Sequence, residues 1–137
     1  MKRHWIEYRE QWTPSLLSYW VHIEADGNAW HDAREFVPPL PFPIEHHGYP
    51  VFWVECDDVT FQFSSLDEMR VAIETLGKKL LPTTIRLAKD RGGELGPEAH
   101  WLSKLPVKAK PWRYREKAVK YLIRSLADFE KELGRLR

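Results

Sequence analysis

The chain has 137 residues, 43% of them hydrophobic and 30% charged, and a net charge of +1. That length suits one domain, able to bury about two-thirds of its unfolded surface without staples, and the composition excludes a disordered or fibrous chain. No apolar run approaches the ~20 residues of a membrane span. The start MKRHWIEYREQW lacks the apolar core of a secretion signal, and the single cysteine, Cys56, excludes an internal disulfide and fits a reducing compartment, so the expected location is the cytoplasm.

In chain order, residues 5–9 (Trp-Ile-Glu-Tyr-Arg) and 19–24 (Tyr-Trp-Val-His-Ile-Glu) alternate in polarity. The alternation predicts two half-buried strands, joined as an irregular hairpin across Thr13-Pro14-Ser15. Residues 25–50 are rich in proline and glycine. They predict a long, mostly extended connection, with a turn of helix near His31 to Phe36. A loop of that length is often functional; the plainer reading is a surface strap pinned by Trp30, Phe36, Leu40 and Phe42. Val51–Cys56 and Val59–Phe63 are β-rich runs around Asp57-Asp58 and predict a tight hairpin.

The period then changes. Ser65-Leu66-Asp67-Glu68 has the form of a capping box, Leu66, Met69, Ile73 and Leu76 share a helical stripe, and Gly77 closes it. Thr83 or Thr84 caps a short helix through Ala88, Asp90–Gly96 is a glycine-rich loop, and Pro97 opens a helix to about Leu105. Pro111 opens the last helix, to about Leu133, with Ala118, Leu122, Leu126, Phe129, Leu133 and Leu136 on its buried stripe. The expected fold is α+β. A small antiparallel sheet is covered on one face by the capped mid-chain helix and the long C-terminal helix, all within one domain, 1–137.

Charge is segregated along the chain. Glu24 to Glu68 holds ten acids and one base, −9; Trp101 to Arg137 holds eleven bases and four acids, +7. Either the two segments neutralise each other across the fold, or they present faces of opposite potential. The last helix starts basic and ends acidic, against its dipole, which suggests that Arg113, Arg115 and Lys117 are placed for a partner, internal or external.

Chemistry-bearing motifs are sparse. Glu45-His46-His47, with His31-Asp32 upstream, has ligand-type side chains, but no spacing puts two histidines on one helical face. His100 stands alone beside Trp101, and Cys56 follows an alternating strand as a small packed residue. An enzyme would need His46, His47 and His100 to converge. No metal or cofactor is expected. The stretch HWLSKLPVKAKPWRYREKAVKYL interleaves bases with flat aromatic rings. Trp101, Lys104, Lys108, Lys110, Trp112, Arg113 and Arg115 there form an alternative site for nucleic acid or a phosphate ligand, since bases neutralise phosphates and rings stack on nucleobases.

On that stretch, preceded by FQFSSLDEM and KKLLPTT, the chain resembles a family of small, uncharacterised bacterial proteins over about residues 51–129. In type it is similar to the immunity proteins that neutralise bacterial toxins. The resemblance carries no activity residue by residue; the charge pattern makes the leading expectation a non-enzymatic protein-binding module, of inhibitor or immunity type, whose acidic, aromatic-rich segment docks a basic partner. Trp30, Phe42 and Tyr49 would anchor that partner, and Asp32, Glu35, Glu45, Asp57 and Asp58 would steer it.

Overall fold

Tyr49–Cys56, the longest β-branched and aromatic run, forms the central strand of the sheet, β4 (β1 to β3 being Lys2–Arg9, Ile23–Glu24 and Phe36–Val37). The computed structural model describes residues 1–91 and 100–137. β4 pairs antiparallel on one side with β1, Trp5 opposite Trp53, and on the other with β5 (Val59–Phe63), Val54 opposite Phe61. The β4–β5 turn needs no glycine, because Asp57 takes the one left-handed position, φ +56°, which a short polar side chain tolerates.

Alternation then separates two faces. Phe52, Val54, Cys56, Val59, Phe61 and Phe63 point inward and are buried. They meet α2 (Leu66–Leu76) and α5 (Trp112–Leu136), whose Met69, Ala72, Leu76, Leu122, Phe129 and Leu133 complete the core. The 25-residue α5 runs ~37 Å at ~1.5 Å per residue. The fold is the expected α+β arrangement: an antiparallel sheet with a capped helix and a long C-terminal helix on one side.

Ser65 is the N-cap of α2 and its hydroxyl accepts from the Glu68 N–H at 3.2 Å. α3 (Thr84–Asp90) is capped by Thr83. The expected loop over Asp90–Gly96 and the helix start at Pro97 fall mainly outside the described residues; α4 is Trp101–Lys104, with His100 as its N-cap. A 3-10 turn at Val107–Ala109 leads to Pro111 and α5. No described helix is long and apolar enough to cross a membrane.

Residues 19–24 differ from the expected strand. Ser18–Val21 is a single helical turn, α1, and only Ile23–Glu24 is extended, pairing with β3 in a separate two-stranded sheet. The alternation there is also compatible with a helix: Ser18, Val21 and His22 stand at i, i+3 and i+4, and all three are buried. The expected hairpin of β1 with this segment does not form: β1 pairs only with β4, and Ile23–Glu24 pairs with β3.

Candidate functional site

The strap between β2 and β4 is tied down along its length by backbone and indole hydrogen bonds. Ala25 N–H donates to Glu35 C=O at 2.8 Å. The Asp26 carboxylate accepts from the N–H groups of Asn28, Arg34 and Glu35 at 3.1, 2.7 and 3.3 Å, and those donors hold its carboxyl below the usual range. A turn at residues 29–33 stands where a helical turn was expected slightly later; Ala29 C=O accepts from Asp32 and Ala33. Trp30 Nε1–H donates to His22 C=O at 2.9 Å, and its ring lies 5.5 Å from Phe36 and 6.4 Å from Trp12. At the far end Ile44 and Gly48 exchange backbone bonds at 2.8 Å. Gly48 is required there: φ is +97°, and a Cβ would stand 2.4 Å from Arg9 C=O.

This mount presents its side chains outward. Asp32, Glu35 and Glu45 are exposed, and Phe42 is 80% exposed. A groove of about 550 Å³ runs beside Phe42, lined by Pro39 to Glu45 with Leu136 and Arg137. Trp30 is half-buried and serves as an anchor of the strap itself. Tyr49 is half-buried at the start of β4. Asp57 and Asp58 lie past the other end of β4, so at ~3.3 Å per residue they stand over 20 Å from Tyr49. The structure therefore gathers Asp32, Glu35, Phe42 and Glu45 on one segment and separates Asp57 and Asp58 from them. Asp57 holds the terminal amine at 3.2 Å and Lys117 Nζ at 3.3 Å, and those contacts lower its pKa.

Asp57–Lys117 is, among the described residues, the one ion pair between the acidic segment and the basic C-terminal segment. Glu24 is met by Arg91, bidentate at 3.1 and 2.7 Å, and Glu55 by Arg3 at 3.0 Å. Among the described residues, the other ion pairs of the acidic segment are made with bases outside the C-terminal segment or with His46.

The basic–aromatic block loses two members to the interior. Trp101 is 2% exposed and Arg115 4%. The Arg115 guanidinium donates to the carbonyls of Leu76, Lys78, Lys79 and Lys110. It thereby closes the C-terminal end of α2, whose last carbonyls have no helical partner; the base at the start of α5 has an internal partner. Its charge also lies 5.1 Å from the half-buried Trp112 ring. Lys104, Lys108 and Arg113 remain exposed, and Lys110 is half-buried.

The histidines do not converge. His46 is exposed, His47 packs on Tyr8 at 5.2 Å between ring centres, and His100 is buried against Trp20 at 4.5 Å. Leu102 N–H donates to His100 Nδ1 at 3.1 Å, and burial among the indoles pushes His100 down to about 4. No group of three His, Cys, Asp or Glu among the described residues has the geometry to hold a metal.

The polar centre that sequence reasoning missed is Glu68, fully buried. Oε1 accepts from the Ser15 hydroxyl and from Ser64 N–H at 3.0 Å; Oε2 accepts from the Ser18 hydroxyl at 2.8 Å and the Ser65 hydroxyl at 3.3 Å. His22 Nε2 lies 2.8 Å from Ser65 Oγ and 3.4 Å from Oε2, and Nδ1–H donates to Pro38 C=O at 2.8 Å. Burial opposes the imidazolium, but the Glu68 hydrogen bond and charge and the Pro38 carbonyl outweigh it, so the His22 pKa is raised. Ser65, His22 and Glu68 are all closed to solvent, and their bonds tie α1, α2 and the strap together. The available signal was Glu68 one turn before Ala72, on the buried side of α2. Comparison with family models, curated proteins and solved structures finds no match to this chain.

Proposed function

We propose that this domain is a non-enzymatic protein-binding module, of the inhibitor or immunity type, that docks a basic partner surface on the strap. The observation that carries this reading is the exposed charge of Asp32 and Glu35, with Glu45 beside His46 at 3.5 Å, on a segment tied by backbone hydrogen bonds. Carboxylates without internal cations attract a basic surface from about a Debye length away, ~8 Å at physiological salt, and raise the association rate. Phe42 is an apolar anchor ready to be buried without rearrangement, the behaviour of an interface hot spot. The alternative nucleic-acid reading is weakened by the burial of Trp101 and Arg115.

The test is capture from host extract on immobilised protein, comparing wild type with the combined Asp32→Asn, Glu35→Gln, Glu45→Gln variant. A partner retained by the wild type should be released at lower salt from the variant, and Phe42→Ala should speed its dissociation at least tenfold. Equal affinity and equal salt dependence for wild type and triple variant would sink the reading. Steeply salt-dependent retention on heparin, abolished by reversing Lys104, Lys108 and Arg113, would replace it with the nucleic-acid reading.

A further inference from the structure

β1 is an eight-residue strand at the edge of the sheet, paired to β4 without interruption from Lys2 to Arg9. Asp57 N–H donates to Met1 C=O at 2.8 Å, one step beyond that ladder. Hydrogen-bonded pairs alternate along an antiparallel ladder. Met1, Arg3, Trp5, Glu7 and Arg9 therefore bond to β4, while Lys2, His4, Ile6 and Tyr8 turn their N–H and C=O groups to the open side. No described residue supplies a backbone partner there. Natural sheets blunt such edges with prolines, bulges, short strands or charged side chains; β1 has no proline or bulge and carries charge only at Lys2, Arg3, Glu7 and Arg9.

We propose that β1 joins a second copy of this chain, antiparallel, so that two three-stranded sheets become one continuous sheet. This proposal does not rest on the strap. Parity limits the register, because outward-facing residues must pair with outward-facing residues. The register centred on Trp5 pairs Lys2 with Tyr8 and His4 with Ile6 of the second copy through hydrogen bonds. It leaves Arg3, which also holds Glu55 at 3.0 Å, directly opposite Glu7 of the second copy, which also accepts from Arg9 at 2.9 Å and Trp53 at 3.0 Å, and Trp5 opposite Trp5, at the closer, non-hydrogen-bonded positions, ~4.5 Å between Cα atoms. Shifting by two residues one way sets Arg3 against Arg9; shifting the other way shortens the ladder and leaves Arg3 and Glu7 without opposite charges. Charge thus selects one register of three.

The two faces of β1 suit that choice. On the open face Trp5, 38% exposed, stacks on Trp53 at 6.0 Å with planes 9° apart, so joining two copies at Trp5 makes a row of four indoles. Cross-strand aromatic pairs of this kind stabilise sheets. On the helix face a groove of about 300 Å³ is lined by His4, Ile6, Tyr8, Asp128, Phe129 and Glu132. Lys2 of the second copy, opposite Tyr8, enters it at the Glu132 end, where burial and then the Glu132 charge raise the Tyr8 pKa.

Sedimentation of the wild-type chain should give about twice the 16.3 kDa monomer mass, with dissociation on dilution. Arg3→Glu and Glu7→Arg should each weaken association about tenfold, by turning two facing pairs from attraction to repulsion, and the two together should restore it. Trp5→Cys should form a disulfide-linked dimer under mild oxidation, because the two-fold axis sets position 5 against itself; Ile6→Cys should not. A wild type that stays monomeric at every concentration overturns the proposal. So does a dimer indifferent to both charge reversals and uncrosslinked through position 5, which would be built on another surface.

Discussion

His22 and His100 are both buried, less than 4% exposed, and both pack beside tryptophan rings, yet their pKa values move in opposite directions. At His22 both ring nitrogens face oxygen: Pro38 C=O on one side, Ser65 Oγ and the Glu68 carboxylate on the other. At His100 one nitrogen accepts a backbone N–H and the rest of the ring meets Trp20 and Trp101. The same burial therefore accompanies a raised pKa at one imidazole and a lowered one at the other. What decides the sign is whether an acceptor with negative charge stands within hydrogen-bond reach.

Removing the deciding carboxylate should have the largest effect. Glu68→Ala strands His22, Ser15 and Ser18 without their acceptor and should cost about 3–5 kcal/mol in denaturant unfolding, the scale for breaking a buried pair. Glu68→Gln sharpens the comparison: with that charge gone, burial is opposed only by the Pro38 carbonyl and the Asp67 charge, and the His22 imidazole, followed by NMR, should titrate lower than in the wild type.

The pH dependence comes next. His100 binds a proton at about 6.5 when unfolded but only near 4 when folded, so the stability it contributes is present above pH 6.5 and lost as pH falls toward 4. At 1.36 kcal/mol per unit that is at most roughly 3 kcal/mol, and His100→Phe should flatten this acid limb of the stability curve. His22 has the opposite sign. Its raised folded pKa stabilises the protein fully below the unfolded value, and that contribution fades as pH rises through the folded value. Glu68→Gln should shrink this alkaline limb and leave the acid one.

Ser65→Ala should be the smallest of the three changes, about 1–2 kcal/mol. It removes both the α2 cap and the hydroxyl between His22 and Glu68. A loss under about 0.5 kcal/mol would mean that His22 reaches Oε2 directly and needs no relay.

Much of the architecture was readable from residue order. The Val51–Phe63 hairpin, the Ser65 cap and the stripe of α5 each follow from one dominant local signal, a β-rich run, a capping serine or a repeating apolar face. Residues 19–24 misled because the alternation overlaps an equally good helical turn, in which Ser18, Val21 and His22 are all buried. The exposure of Asp32, Glu35, Phe42 and Glu45 agrees with their polarity and proline context; the interior placement of Trp101 and Arg115 does not show in a segment dense with charge. Glu68 was already accounted for by the capping box, which explained its presence at the start of a helix while concealing that four serine residues converge on it.

Cys56 has no exposed surface and lies where β4 meets Tyr114, whose hydroxyl donates to its carbonyl at 2.9 Å. It is the chain's one thiol. A thiol-reactive dye therefore stays dark toward the native protein and reacts at the rate at which the sheet opens. Without any engineering the molecule carries a clock for its own breathing.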